Sequence, residues 1–323
     1  MAKKNNILWL LAAGMAKSKT PAVRQLRYEV TNSSEAGTET SHYVDIARDL
    51  AAINRRAMEQ GRIYHIGKIT VVSRNTIPSP GQEAGFISVS AAPTSWAVIG
   101  AAKMGARLYK EQLKEATQGA IESRKGRYLS FKIRGLHSGA TSPTFLTPVD
   151  NGGNQLQIGD WDYSSFYSPD GTTAADFYQC HLLGGHSGSP GNYTSVGLLQ
   201  SYQNTRSTVG GNDPSPILDS DDPLANLFDD GTQTDEVLAH QTAAGDDPPY
   251  DITNYGGSSG NMARPLVMQH GTLGADGRLT LGGFAAVHGL IEFEVSSPIA
   301  NDVYSILVEL KSGPYKGIAA EAL

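Results

Sequence analysis

Short runs in which apolar and polar residues alternate recur along most of the chain, and they constrain the fold more than any other feature. Alternation with a period of two is typical of β-strands that bury one face. The runs occupy residues 26–31, 63–73, 85–91, 128–133, 177–183, 193–200, 266–270, 279–284, 290–295 and 303–310. Between them the chain is rich in turn formers, with 36 glycines and 16 prolines among 323 residues, and only 18% of residues are charged. This composition favours short strands joined by long loops.

In two other segments the apolar residues recur at the spacing of an α-helix. Four apolar residues share one face of the segment 43–60, and Gly61 provides a stop signal after it. These residues are Ile46, Leu50, Ile53 and Met58, with Arg48, Arg55 and Arg56 on the other face. In the later part of 96–123 a second apolar face is predicted. It comprises Leu108, Leu113, Ala116 and Ile121, with Lys110, Glu111 and Lys114 outside it.

Eight to ten short strands with two inserted helices predict an all-β protein, and a single jelly-roll β-sandwich fits best. No alternation of strands and helices favours a parallel sheet. Residues 136–176 are loop-like, and residues 209–262 form a long acidic loop region of the kind that is usually functional or displayed. We therefore expect an N-terminal arm over residues 1–23 and one jelly-roll domain over residues 24–323.

The arm contains an apolar segment, residues 7–16, between two basic clusters. The layout resembles a short signal peptide with a cleavage site near Ala16. The alternative is a retained arm whose apolar segment docks under a protein shell. Ten apolar residues are too few to span a bilayer, and no other stretch is long and apolar enough, so no membrane span is expected.

Charge is divided unevenly along the chain. Residues 1–150 contain 21 Lys and Arg against 11 Asp and Glu, whereas residues 151–323 contain 5 against 21. Such asymmetry indicates one surface that meets a polyanion, although ordinary solvated charge is the alternative. Non-specific nucleic-acid binding needs only positive charges near phosphates. The basic residues predicted to supply them are Lys3, Lys4, Lys17, Lys19, Arg24, Arg27, Arg48, Arg55 and Arg56.

One string, residues 185–190, resembles the nucleophile loop of chymotrypsin-type serine proteases and would make Ser187 the nucleophile. His186 stands where that family has an acidic residue. None of the upstream histidines His42, His65 and His137 lies in a recognisable catalytic context. A glycine- and serine-rich turn between two strands explains the string without chemistry. The expectation is therefore a protein that is not an enzyme, with a serine hydrolase as a remote alternative.

The sequence gives little indication of a metal site or of a reactive thiol. Asp219, Asp221 and Asp222 could hold a structural calcium ion, which prefers several oxygen ligands, but their spacing differs from that of an EF-hand and a solvated acidic loop is the alternative. No other cofactor is indicated. The single cysteine, Cys180, excludes an intrachain disulfide and lies in an apolar run, so a buried inert thiol is expected.

An ordered set of segments resembles the capsid proteins of small circular single-stranded DNA viruses of the CRESS-DNA type, known from environmental sequences. Each segment alone is weak evidence of a relationship, but together the segments cover most of the chain and occur in a consistent order. The segments lie at residues 43–62, 93–132, 197–206, 248–257, 289–291 and 313–321.

The resemblance implies a virion protein: single-jelly-roll subunits that associate with one another into an icosahedral shell around single-stranded DNA. The host receptor is not indicated. The chain departs from many such capsids because it lacks a long arginine-rich arm, which leaves the basic first half to neutralise part of the genome charge. The alternative function is a secreted or surface β-sandwich module that binds carbohydrate or a receptor.

Overall fold

The computed structural model describes residues 21–73, 84–116, 128–141, 145–168, 176–189, 192–205, 263–274 and 276–323. Within these ranges the protein is mainly β, as predicted, with fifteen strands, three α-helices and a 3₁₀ helix at Ser138–Thr141. The strands are β1 Gln25–Thr31, β2 Thr40–Asp45, β3 Arg62–Ser73, β4 Phe86–Ala91, β5 Gly135–His137, β6 Ser165–Ser168, β7 Asp176–Leu183, β8 Ser187–Ser189, β9 Asn192–Gly197, β10 Leu266–Thr272, β11 Arg278–Leu281, β12 Ala285–Val287, β13 Leu290–Ser296, β14 Val303–Leu310 and β15 Ala320–Ala322. The α-helices are α1 Ile46–Asn54, α2 Trp96–Ala116 and α3 Leu198–Asn204.

Two antiparallel sheets enclose the larger core. The first has the strand order β1-β14-β3-β11, with β12 and β15 also paired to β3, and the second has the order β10-β4-β13-β2. Alternate residues of the strands, such as Leu26, Tyr28 and Val30 of β1, point inward and are fully or almost fully buried. They pack in one cluster with residues of the second sheet such as Ile87 and Phe293. The two sheets therefore form a sandwich.

The chain passes from one sheet to the other at almost every step. Along the sequence, the strands β1, β2, β3 and β4 alternate between the two sheets, and so do β10, β11, β13 and β14. The exception is the step from β4 to β10, two neighbours in the second sheet. The segment between them, residues 92–265, is a large insertion at one place in the sandwich.

The insertion contains a third sheet and a second core. Its strands have the order β5-β7-β9-β8, with β6 also paired to β7. The pairs β5·β7 and β7·β9 are parallel, although the order of predicted strands and helices gave no indication of a parallel sheet. Helices α2 and α3 pack on this sheet, and the core they share includes Val287 and Leu290 of the sandwich.

Helix α1 is shorter than the predicted segment 43–60. Asp45 caps its first turn by accepting a hydrogen bond of 3.1 Å from the Arg48 backbone N–H, and Arg55, with a φ of 49°, ends it. Residues 43–45 belong to β2 because they pair with residues 290–292 of β13. Met58 is buried as expected, but it lies beyond the helix.

Helix α2 buries a different face from the predicted one. Leu108 is 44% exposed, whereas the small residues Ala97, Ala101 and Ala102 are buried, and Ile121 lies outside the described residues. A Cβ atom added at Gly105 would lie 2.9 Å from Leu198 and 3.0 Å from Phe131. The helix therefore approaches its neighbours closely through small side chains, which a search for large apolar residues does not find.

Three strand predictions need correction. Residues 128–133 form no strand among the described residues, because the side chains of Gln60 and Ser164 bind their backbone groups. In the run 193–200, the strand β9 ends at Gly197 and α3 begins directly after it. In the run 279–284, β11 ends at Leu281. The arm up to residue 20 and the acidic region 209–262 lie outside the described residues.

Two buried carboxylates share one cation where the insertion meets the sandwich. Asp45 accepts hydrogen bonds from Gln60 Nε2 and Trp161 Nε1, both at 3.0 Å. Asp49 accepts from Tyr28 Oη at 2.6 Å and from Arg48 Nε at 2.8 Å. Neither carboxylate is exposed to solvent. Burial raises the pKa of Asp45 to about 6 and that of Asp49 to about 7, and in both cases the nearby Arg48 opposes this rise.

No helix within the described residues is long and apolar enough to cross a bilayer.

We expect the substitution Asp49→Asn to change how stability depends on pH. The native pKa of Asp49 lies above its ordinary value of 3.8, so its contribution to stability is present at low pH and lost as pH rises through about 7. Relative to the variant, the wild-type protein should gain stability on acidification from pH 7.5 to 4.5, by an amount on the order of a few kcal/mol. Urea unfolding of both proteins at the two pH values measures this difference.

The difference between the two proteins is the informative quantity, because other groups titrate in both. Burial lowers the pKa of His181 and of His288 to about 4, so both imidazoles contribute stability that is lost on acidification. Parallel pH profiles for the wild type and Asp49→Asn would contradict the role assigned to Asp49.

The close approach of α2 gives a second prediction. Gly105→Val should lower the free energy of unfolding by roughly 1–3 kcal/mol, because the added side chain must displace Leu198 and Phe131. Gly61→Val is the control, since a Cβ atom there meets nothing within 4 Å. Thermal unfolding compares the two, and equal destabilisation would argue against tight packing at Gly105.

Candidate nucleic-acid interface

The basic residues predicted to contact nucleic acid are dispersed in the structure. Lys3, Lys4, Lys17 and Lys19 lie outside the described residues. Arg24 is exposed and donates to the Leu310 carbonyl at 3.3 Å. Arg27 forms an ion pair of 2.6 Å with Glu29. Arg24 precedes β1 and Arg27 lies on it, and neither lines the two basic grooves described below.

Arg48 is a structural residue. It is 8% exposed, its guanidinium pairs with Asp49 at 2.8 Å, and it donates to the Leu146 carbonyl at 2.6 Å. The ring of Phe145 lies 5.3 Å from the guanidinium carbon. The buried Arg48 is therefore not part of the exposed basic surface, because the apparent outer face of the predicted helix is covered by the insertion.

Four exposed basic residues lie close together on α2. Lys103, Arg107, Lys110 and Lys114 follow one another at intervals of four, three and four residues and are all exposed. This spacing places them on one face of the helix, away from the small residues that pack into the second core. We call these four residues the α2 stripe.

Arg62, at the start of β3, lies across a groove from the α2 stripe. This groove, which we call the helix groove, has a volume of about 580 Å³. Its described charged side chains are five basic residues, Arg62 and the α2 stripe, against Glu59 and Glu111. Glu59 pairs with Arg62 and Glu111 with Arg107, each at 2.9 Å. Among the described residues Lys103 and Lys110 form no ion pair, so their charges are available to an anion.

A second basic groove adjoins the first. We call it the Lys316 groove; it has a volume of about 500 Å³, and Glu59 lines both grooves. Its described basic side chains are Arg55, Arg56 and Lys316, together with Lys132, which is only 8% exposed, against Glu59 and Asp160. Of the predicted residues, the structure thus brings Arg55 and Arg56 to the basic surface.

Aromatic rings stand between and beside these charges. The guanidinium of Arg62 lies 3.7 Å from the centre of the Tyr315 ring, and Lys316 Nζ lies 5.1 Å from it. Lys132 Nζ lies 4.9 Å from the Trp161 ring, and burial lowers the pKa of this lysine. Basic side chains interleaved with aromatic rings are typical of surfaces that bind single-stranded nucleic acid.

Sequence reasoning noted Lys110 and Lys114 on the outside of the second helix but did not assign them to the interface. The sequence does indicate the α2 stripe, because its four basic residues recur at helical spacing. The contribution of Lys132 and Lys316 was not visible, since these residues come from distant parts of the chain and meet only in the folded protein.

The other candidate sites have different outcomes. The Ser187 hydroxyl accepts a hydrogen bond of 3.1 Å from the Thr194 hydroxyl. The neighbouring His186 ring accepts a hydrogen bond from the Gly197 backbone N–H and not from Ser187. Asp219, Asp221 and Asp222 lie outside the described residues. Among the residues that are described, no three His, Cys, Asp or Glu side chains lie close enough together to hold a metal ion.

Cys180 is buried, and burial raises the pKa of its thiol to about 12, as expected of an inert thiol.

Comparisons of the chain with protein-family models, with curated proteins and with solved structures found no match. Any assignment of function therefore depends on the fold and on the surface described above.

The α2 stripe gives a salt-dependence prediction. Replacing Lys103 and Lys110 together by glutamine should weaken binding of a single-stranded oligonucleotide. It should also reduce the slope of log affinity against log salt by roughly 1–2, since each phosphate contact contributes about 0.7. Fluorescence anisotropy over a salt series measures both. Arg278→Gln is the control and should leave the slope unchanged, because Arg278 lies on β11 and pairs with Val72, at the end of β3 opposite to Arg62. Equal effects of the two changes would exclude the stripe as the contact surface.

Proposed function

We propose that this protein is a capsid subunit that assembles with copies of itself into a closed icosahedral shell around a single-stranded DNA genome. The observation that carries the proposal is the combination of the strand order of the sandwich with a basic, aromatic-lined surface to which both the sandwich and its insertion contribute.

The strand order supports a jelly roll. If the eight main strands are numbered one to eight along the chain, the two sheets have the orders 1-8-3-6 and 2-7-4-5. In this arrangement every sheet neighbour is antiparallel and the first and last strands pair, as β1 and β14 do over seven residues. This winding of two sheets is typical of the jelly roll, an architecture that viral capsid proteins share with lectins and cupins. On its own this is an argument from fold, and other functions use the same fold.

The surface chemistry favours the capsid over the other proteins with this architecture. A shell protein needs a region that neutralises phosphates, and the two adjoining basic grooves supply it. The ordered resemblance to capsid proteins of small single-stranded DNA viruses points to the same function. In this proposal the basic grooves face the genome.

A shell also needs surface that is buried when subunits associate. The strand β10 is an edge of the second sheet, and its residues Leu266 and Val267 are 49% and 60% exposed. An exposed apolar edge strand is prone to pair with another chain unless it is covered. We propose that a neighbouring subunit covers this edge in the shell.

Electron microscopy of the purified full chain tests the proposal. Closed particles of uniform diameter are expected, and replacing Leu266 and Val267 together by glutamate should abolish them while the far-ultraviolet circular dichroism of the β fold is retained. Val23→Glu, at another exposed apolar position (51% exposed), is the control and should leave the particles intact. A wild-type protein that stays monomeric at every salt concentration and pH would contradict the proposal.

A further inference from the structure

A third groove continues from the Lys316 groove but has a different character. We call it the tyrosine groove; its volume is about 700 Å³, and it shares Lys132, Asp160 and residues 128–130 with the Lys316 groove. Four of its described lining residues are tyrosines: Tyr109, Tyr128, Tyr163 and Tyr167. Its described charged side chains are Lys132, Asp160 and Asp162, so carboxylates outnumber the single ammonium group. The surface thus changes from basic to aromatic along one continuous depression.

Two of these tyrosines present their rings to solvent. Tyr128 is 69% exposed and Tyr167 is 58% exposed. Large aromatic side chains normally bury most of their surface on folding, so two exposed rings in one groove indicate a surface kept for a ligand. Tyr109 supports the groove from below, because its ring packs on Phe131 and Phe166 with centroid distances of 5.9 and 6.2 Å.

Hydrogen bonds fix the backbone of both exposed tyrosines. The side-chain amide of Gln112, on α2, donates to the Tyr167 carbonyl at 2.8 Å and accepts from the Tyr167 N–H at 3.4 Å. The Tyr128 carbonyl accepts from the Ser130 N–H at 2.9 Å and from Lys132 Nζ at 3.4 Å. A rigid aromatic surface loses little conformational entropy when it binds a flat partner.

We propose that the tyrosine groove binds the bases of a single nucleic-acid strand whose phosphates lie in the helix groove and the Lys316 groove. The inference rests on the proposed function and deepens it, because it assigns base and phosphate recognition to different parts of the surface. The acidic tyrosine groove repels phosphate but accepts neutral bases, and each base offers a flat face to a tyrosine ring. A duplex keeps its bases stacked inside, so only a single strand can use both regions.

Three probes of equal length separate base recognition from phosphate recognition. They are a thymidine homopolymer, an abasic oligonucleotide with the same phosphates but no bases, and a hairpin duplex. Anisotropy with the full wild-type chain should show the homopolymer binding about a hundredfold more tightly than the abasic strand, because the two ring contacts contribute about tenfold each, and also more tightly than the duplex. Equal affinities for the homopolymer and the abasic strand would overturn the proposal.

Variants locate the base contact. Tyr128→Ala and Tyr167→Ala should each weaken the homopolymer about tenfold and leave the abasic strand unchanged, whereas Tyr128→Phe should bind both as the wild type does. Lys103→Gln should weaken all three probes. Loss of abasic binding in the tyrosine variants equal to the loss of homopolymer binding would show only a structural role for these residues and overturn the proposal.

Two further measurements make the outcome unambiguous. A neutral oligosaccharide mixture should not compete with the homopolymer; competition would show a carbohydrate site and overturn the nucleic-acid proposal. Sedimentation velocity on the same samples records whether particles form. Particles without base-dependent binding would refute this inference and leave the capsid proposal intact, whereas base-dependent binding without particles would refute the capsid and leave the groove assigned.

Discussion

The buried ionic cluster of Asp45, Arg48 and Asp49 connects the sandwich to its insertion, and residues of both line the basic surface. The Arg48 guanidinium pairs with Asp49, while Asp45 accepts from the Arg48 backbone N–H. The second buried carboxylate is tolerated because hydrogen bonds from Tyr28, Gln60 and Trp161 surround the pair. Tyr28 belongs to the sandwich and Trp161 to the insertion, so the cluster connects the two. Removing one member of a buried ion pair leaves an uncompensated charge that typically costs about 3–5 kcal/mol, which makes the cluster intolerant of substitution.

The position of the basic surface follows from this connection. Gln60, held by Asp45, donates to the Ile133 carbonyl and accepts the Ile133 N–H, so it takes the place of a neighbouring strand for that segment. The segment continues to Lys132 and Tyr128, which line the grooves. Helix α2 lies against Phe131 of the same segment at Gly105. A substitution in the buried cluster would therefore disturb the proposed phosphate and base sites together, although Asp45, Arg48 and Asp49 line none of the three grooves.

The sandwich was more predictable than the insertion, for a physical reason. Strands such as β1 and β14 bury every second residue, so Leu26, Tyr28 and Val30 mark the buried face directly in the sequence. The close packing of α2 depends on Gly105 and on alanines, which carry little hydrophobic signal, and the predicted apolar face was wrong for that reason. Arg48 looked like a solvated cation because nothing local indicates that Phe145 and Leu146 cover it. The strand order likewise depends on pairings between distant residues.

The central claim is that the chain encloses single-stranded DNA, and nuclease protection tests it most directly. Full-length protein is assembled with a circular single-stranded DNA, treated with an excess of nuclease and separated by sedimentation. The account predicts that intact circular DNA is recovered from the fast-sedimenting protein fraction. Complete digestion of the DNA, with the protein sedimenting as single chains, would contradict it.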